Sequence, residues 1–152
     1  MIIISAMSEG RVIGSGEGMP WNVPEEYERY LETVAGQTVV MGRRSWNIFG
    51  KDLVDTDHIV LTRKRSLDGA KVAASLEHAL EIAVDTGRMV FVAGGSSVYG
   101  QAISFADEMY LSTIKGDFDG DSYFPEFDES QWDVVREIDY GTYIFRHHSR
   151  IN

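Results

Sequence analysis

Three glutamates crowd the stretch PEEYE at residues 24–28, directly before a run of tyrosines and aliphatic residues. A carboxylate turned toward an apolar surface can accept two parallel hydrogen bonds from a planar N–H pair, or keep a proton that a solvated acid would lose. Spacing decides which of the three is placed for this. Tyr27, Tyr30, Leu31 and Val34 recur at i, i+3, i+4 and i+7, so a helix that opens at Pro24 and stops at Gly36 gathers them on one stripe. On that wheel Glu25 falls almost opposite the stripe, while Glu26 and Glu28 lie roughly 100° from its centre, one at each margin. Glu26 sits in the first turn, nearest the preceding MPWN segment, and is the acid that can turn into a cleft. A plainer role is open to it as well, because first-turn acids meet the helix dipole favourably by about 0.3–1 kcal/mol.

Cations are scarce and clustered. The formal net charge is −10, and of 14 Lys and Arg, five fall in two short groups: Arg43 and Arg44 in MGRRSW, and Arg63, Lys64 and Arg65 in LTRKRS. Solvated surface charge explains either group alone; two groups at the ends of apparent strands suggest an anion site. After MVFVA comes GGSSVYG, where paired glycines allow close backbone approach and a helix starting at Ser96 or Ser97 directs free N–H groups at a phosphate. A tight turn accounts for Gly-Gly almost as well. The early loop EGRVIGSGEGMPW is glycine-rich but does not spell G-x-G-x-x-G and is not followed directly by a helix, so it is no Rossmann phosphate loop. Its apolar end, Met19, Pro20 and Trp21, reads as the tip of a mobile flap. His58, His78, His147 and His148 lack metal-ligand spacing.

The elements that must position these residues follow from pattern. Apolar, β-branched runs recur as IIISAM, TVVMG, HIVLT, KVAAS, MVFVAGG, EMYLSTI, DVVREI and TYIFRH, each bounded by Gly, Asp or Ser. A second helix, capped by Ser75 and stopped by Gly87, places Leu76, Ala79, Leu80, Ala83 and Val84 on one face. Strands alternating with helices call for an α/β fold with a mainly parallel sheet. The last strands have no helix between them and are expected to add antiparallel. In such sheets ligands gather at the carboxyl ends of the strands, where all three candidate segments fall.

The totals agree with one soluble domain over residues 1–152. With 43% hydrophobic residues the chain can bury a continuous core, and the acidic balance argues against nucleic acid or an anionic membrane as partner. No run approaches the roughly 18 apolar residues of a membrane helix, and MIIISAM reads as a first strand rather than a signal peptide. A cytoplasmic monomer is expected. Cysteine is absent, which excludes disulfides and thiolate metal sites.

In this order and spacing, RVIG, MPWNVPEE, VVMGRRSW, IVLTR, AGGSSVYG and DSYFPEF together resemble dihydrofolate reductase of the bacterial type, over the whole chain. The resemblance implies an eight-stranded, mainly parallel central sheet with an antiparallel C-terminal strand and about four helices. It implies NADPH-dependent reduction of 7,8-dihydrofolate to tetrahydrofolate. Glu26 matches the acid of the pterin pocket, and Ser112 stands where a threonine is usual, keeping the hydroxyl. Ile4 and Ala93 would offer backbone carbonyls to the ring; Tyr27, Tyr30, Phe49 and Leu53 would line its pocket, with Ala6 and Tyr99 beside them. Met19 and Trp21 belong to the flap over the nicotinamide. For NADPH the resemblance assigns Ala6, Ile13, Gly14 and Met19 at the nicotinamide edge, and Gly42, Arg43, Arg44 and Ser45 at a phosphate-binding helix start. It gives Thr62 and Arg63 to the adenosine 2′-phosphate, and Leu61, Gly94 and Gly95, Ser96, Ser97, Val98 and Tyr99 to the remaining contact. An arginine at a 2′-phosphate favours NADPH over NADH.

Two departures stand out. Where the family carries an arginine for the substrate's glutamate tail, this chain has DLVDT, with Asp55, Thr56 and Asp57; Lys51 and Arg29 are the cations left to compensate. Ser97 stands where some members have another arginine. Two alternatives therefore remain. One is a same-fold reductase of a tailless pterin or of a pyrimidine of the riboflavin-pathway type, and the other is a nucleotide-binding module without catalysis.

Overall fold

A computed structural model describes residues 1–16 and 18–152; Glu17, within the early glycine-rich loop, lies outside the described residues. Eight strands form one sheet. In chain order its members are β1 (Ile2–Ser8), β3 (Thr38–Gly42), β4 (Asp57–Leu61), β5 (Lys71–Ala73), β6 (Val90–Val92), β7 (Glu108–Ile114), β9 (Trp132–Asp139) and β10 (Tyr143–Arg150). Their spatial order is β5-β4-β3-β6-β1-β7-β10-β9. All neighbours from β5 to β7 are parallel, and β10 alone runs against both of its neighbours. Helices α1 (Pro24–Val34), α2 (Arg43–Phe49), α3 (Leu76–Val84) and α4 (Ser96–Ala102) complete the α/β fold. Among the described residues no helix is long and apolar enough to cross a membrane.

The central strands are buried on both faces, which is why they read as continuous apolar runs rather than alternating ones. Ile3, Val40 and Val92 pack on one side with Leu76, Ala79 and Ala83 of α3 and Val98 and Ala102 of α4. Ile2, Ile4, Val39, Met41 and Phe91 pack on the other with Val34 of α1 and with Leu53. Local signals set the ends of the helices. Pro24 occupies the first turn of α1, where its missing N–H costs nothing, and Gly36 takes a positive φ of 75° just past the last turn. In α3 the Ser75 side chain accepts a hydrogen bond from the His78 backbone N–H at 3.1 Å. Val84 departs from the wheel expectation: as the last residue of α3 it is 74% exposed, and Ala83 makes the contact with the sheet instead.

A two-stranded ladder, β2 (Val12–Gly14) with β8 (Ser122–Tyr123), was not visible as strands in the sequence because both segments are too short to display a period. It ties the early loop to the DSYF segment. Gly120 lies against it so closely that a Cβ there would stand 2.3 Å from the Gly14 carbonyl oxygen and from Val12 Cγ1. Gly120→Ala is therefore expected to lower the unfolding free energy by about 1–3 kcal/mol, measured by urea denaturation. An unchanged midpoint would mean that the ladder yields freely.

Candidate active site

Two connected hollows lie along the carboxyl edge of the parallel strands. The first is a cleft open to solvent on one side. Backbone and side chains of Ile4, Ser5 and Ala6 from β1 form its floor, with Ala93, Gly94 and Gly95 from the end of β6. Tyr27 and Tyr30 of α1 and Phe49 of α2 line it as a connected aromatic group, with the Tyr27 and Phe49 ring centroids 6.2 Å apart. Ile13, Ser45, Phe49 and Gly95 border the second hollow as well, and Met19 lines the first alone.

Glu26 enters this cleft from the first turn of α1 and is only 7% exposed. Burial pushes its carboxyl up to about 7, while the Ser112 hydroxyl and the Arg29 guanidinium pull the other way. Ser112, 3% exposed on β7, is brought there by strand alternation, which also turns Tyr110 to the same side. Glu25 behaves as the wheel requires. It is exposed, accepts a hydrogen bond from the Thr142 hydroxyl at 2.6 Å, and is held below the usual carboxylate range by that bond. Glu28 is exposed. Of the three acids, one alone faces the cavity.

The Tyr99 hydroxyl, fully enclosed, donates to the Ile4 carbonyl at 2.7 Å. One lone pair of that carbonyl is thus occupied and its direction fixed; Tyr99 orients a floor group while also bordering the cleft. Trp21 is 8% exposed and lies outside the lining, packed edge-on against Phe118 at 5.6 Å. Leu53, 3% exposed, is buried in the core on the α1 side. Phe145 and Tyr110 were missed in the sequence. The signal was present in part, because Tyr110 and Ser112 are i and i+2 on β7, but Phe145 needs the β10 register that sets it opposite Ser112.

The second hollow, of about 350 Å³, continues from the cleft between the starts of α2 and α4. Gly14, Gly42, Arg43, Arg44 and Ser45 border one side, and Ser96, Ser97 and Val98 the other. Arg44 reaches over to the early loop and donates to the Gly16 carbonyl at 2.6 Å, while Arg43 donates to Asn47 within its own helix. Leu61 pairs with Gly42 in register, which sets Leu61, Thr62 and exposed Arg63 on the same edge of the sheet, next to this groove. The Thr62 hydroxyl already accepts from the Lys64 N–H at 3.1 Å.

Bare backbone forms the groove floor. A Cβ on Gly42 would meet Val98 Cγ2 at 3.2 Å, and Gly94, at φ 112° and joined to Gly95 by a cis peptide, would bring one within 3.2 Å of Ser45 Oγ. A long, flat, phosphate-bearing ligand fits such a floor, with guanidinium groups at its side and a ring-sized pocket at its end. Among the described residues no cluster of three or more His, Asp or Glu is arranged to hold a metal ion.

A glycine-floored groove flanked by guanidinium groups thus opens onto an apolar pocket that holds one buried acid. The dihydrofolate reductase family profile matches residues 1–143. Dihydrofolate reductase of Bacillus subtilis is 34% identical over 134 residues, covering 87% of this chain and 79% of that protein. The type A13 enzyme of Escherichia coli is 32% identical over 148 residues, covering 95% and 90%. Among solved structures, dihydrofolate reductase from Enterococcus faecalis, complexed with NADP(H) and RAB-propyl, superposes with a TM-score of 0.87. It is 30% identical and the match covers 99% of this chain and 96% of that one. The chain belongs to the dihydrofolate reductase family.

Proposed function

We infer that the chain is an NADPH-dependent oxidoreductase that reduces 7,8-dihydrofolate to 5,6,7,8-tetrahydrofolate, with hydride to pterin C6 and a proton to N5. The observation that carries this reading is Glu26, the one buried carboxylate in a cleft that runs into a glycine-floored groove. When bound, NADPH supplies the hydride. The chain's own residues bind, orient and exclude water. In this reading Glu26 accepts from the pterin 2-amino group and N3–H as a planar, charge-assisted pair, and Ser112 steadies the carboxylate. The carbonyls of Ile4 and Ala93 meet the ring edge, and Tyr27, Tyr30 and Phe49 hold its faces. Glu26 fixes and polarises the ring while water brings the proton to N5. Met19 shields the reacting end, and Trp21 braces its segment from below. The groove residues from Gly42 to Ser45 and from Gly94 to Val98, together with Leu61, Thr62 and Arg63, hold the nucleotide.

The reading extends to a cytoplasmic monomer that binds no nucleic acid. The exposed apolar residues Val54, Val84, Phe105 and Val134 are spread over two turns, α3 and β9, and the net charge is −10.

The cleft mouth favours weighing a second reading. The Thr56 hydroxyl donates to the Leu53 carbonyl at 3.2 Å, and the Tyr27 hydroxyl donates to the Asp52 carboxylate at 2.6 Å. An acid is thus bonded to Tyr27 of the cleft lining, and Thr56 offers no cation to an anionic tail, which suits a tailless pterin or a related pyrimidine. Purified protein with NADPH is expected to consume dihydrofolate, followed as loss of absorbance at 340 nm. Faster turnover of a pterin without the glutamate would move the assignment to the second reading, and no substrate-dependent loss with either would leave a binding module. Thr56→Arg is expected to lower the Michaelis constant for dihydrofolate by about tenfold with kcat unchanged, the value of one good charge pair. No change would place the tail elsewhere.

A further inference from the structure

Arg29 follows Glu26 by one helical turn and borders the same cleft. Its guanidinium carbon lies 3.6 Å from the centroid of the Phe145 ring, flat against the cleft wall, and 5.5 Å from that of Tyr140. Arg11, Lys71, Lys115 and Arg146 each pair with a surface carboxylate, whereas Arg29 forms no ion pair among the described residues. What sets Arg29 apart is its place: among the described residues it is the one Lys or Arg that lines the cleft holding Glu26. Phe145 supplies the reason that it stays there, because a guanidinium stacked on an aromatic face is held in place while its charge remains unneutralised.

We propose that Arg29 is a positioning residue of the reductase site: seated on Phe145 one helical turn from Glu26, it adds to the Ser112 hydroxyl a positive field that favours the charged carboxylate, the form that accepts two hydrogen bonds from the ring.

The proposal rests on the reductase reading and deepens it. The groups facing Glu26 are few. Tyr27 and Tyr30 on α1, Tyr99 on α4 and Tyr143 on β10 all feel its charge, and burial raises each of them, so they stay neutral. Ser112 on β7 contributes a hydroxyl. Beyond these, Asp52 acts on Tyr27 and Tyr30, Glu108 acts on Tyr110, and Glu25 acts on Tyr143. All are acids or neutral, and Arg29 is the one cation that opposes the effect of burial on Glu26.

The test is the titration of Glu26, read by carbon-13 NMR of side-chain carboxyl-labelled glutamate in the full chain with saturating NADP⁺, with Glu26→Gln to assign the signal. In Arg29→Leu the midpoint is expected to rise from about 7 by roughly one unit, which lowers the ionised fraction at pH 7 from about one half to about one tenth. Folate affinity of the same complex should fall about five-fold at pH 7, and the deficit should close by about pH 9. Arg29→Lys should restore most of both. Should Arg29→Leu fold poorly, Arg29→Gln keeps a polar stem without the charge and carries the same expectation. A midpoint within about 0.3 unit of the parent in the neutral variant, or no recovery with lysine, overturns the proposal. Either result leaves the reductase reading standing. That reading would fail instead if the parent turned over no substrate while its Glu26 titrated as expected.

Discussion

Replacing Glu26 with glutamine is expected to lower kcat/KM for dihydrofolate by about 10²–10³-fold near neutral pH, with the NADPH dissociation constant unchanged within about twofold. A carboxylate presents acceptors on both oxygens, whereas a carboxamide presents one acceptor and one donor. Opposite a ring edge with two N–H donors, one bond is lost and replaced by a clash of donors. Because the side chain at this position is only 7% exposed, that clash is little relieved by solvent. The two effects together amount to about 3–4 kcal/mol. NADPH affinity should hold because the nucleotide groove is bordered by the starts of α2 and α4 and not by Glu26. Glu25→Gln serves as control, since Glu25 is exposed and engaged with Thr142. An equal loss from that variant would transfer the role to the wrong side of the helix and sink the assignment.

The same substitution is expected to stabilise the ligand-free protein at alkaline pH. Glu26 titrates at about 7 in the folded chain against an ordinary value of 4.5, because its carboxylate is desolvated. The folded state therefore holds the proton more tightly than the unfolded state. Its contribution to stability is fully present below pH 4.5 and is lost as pH rises through 7, a decline of up to about 3 kcal/mol. Glutamine never ionises. At pH 8.5 Glu26→Gln should exceed the parent by up to about 3 kcal/mol, and at pH 4.5 the two should nearly coincide. Glu25, Asp128 and Asp139 shift in the opposite direction, but they are exposed and present in both proteins, so they cancel in the comparison. Urea unfolding at the two pH values checks this. Parallel stability curves across that range would mean that Glu26 is better solvated than its burial implies. A gain in stability paired with a loss of rate is the behaviour of a group held in an unfavourable setting for its chemistry.

How far the sequence carries such an argument depends on the range of the interactions. The α1 wheel isolated Glu26 from Glu25 and Glu28 because helix geometry is local: eleven residues determine which side chains share a face. All eight sheet strands were readable as apolar runs for the same reason, and β10 fell antiparallel as the short connection from β9 requires. What escaped was set by pairing across long separations. Phe145 reaches the cleft only through its register with Ser112, and β2 with β8 is a ladder of a few residues joined over more than a hundred. Resemblance gave the pocket residues as a set, but it could not tell that Leu53 packs inward with the core or that the Thr62 hydroxyl is engaged with Lys64. Nor did it foresee Arg29 resting on Phe145, since that contact joins α1 to the last strand.

The placement of β10 between β7 and β9 bears on how the molecule is made. Chain synthesis delivers the acid, the floor and the nucleotide groove first, yet one wall of the ring pocket arrives with Phe145 in the final strand. A nascent polypeptide emerging from the ribosome thus carries most of the binding surface for a dinucleotide but no enclosed pocket for the ring. Competence should switch on abruptly when the β9–β10 hairpin docks on the free edge of β7, which makes that hairpin the gate to activity.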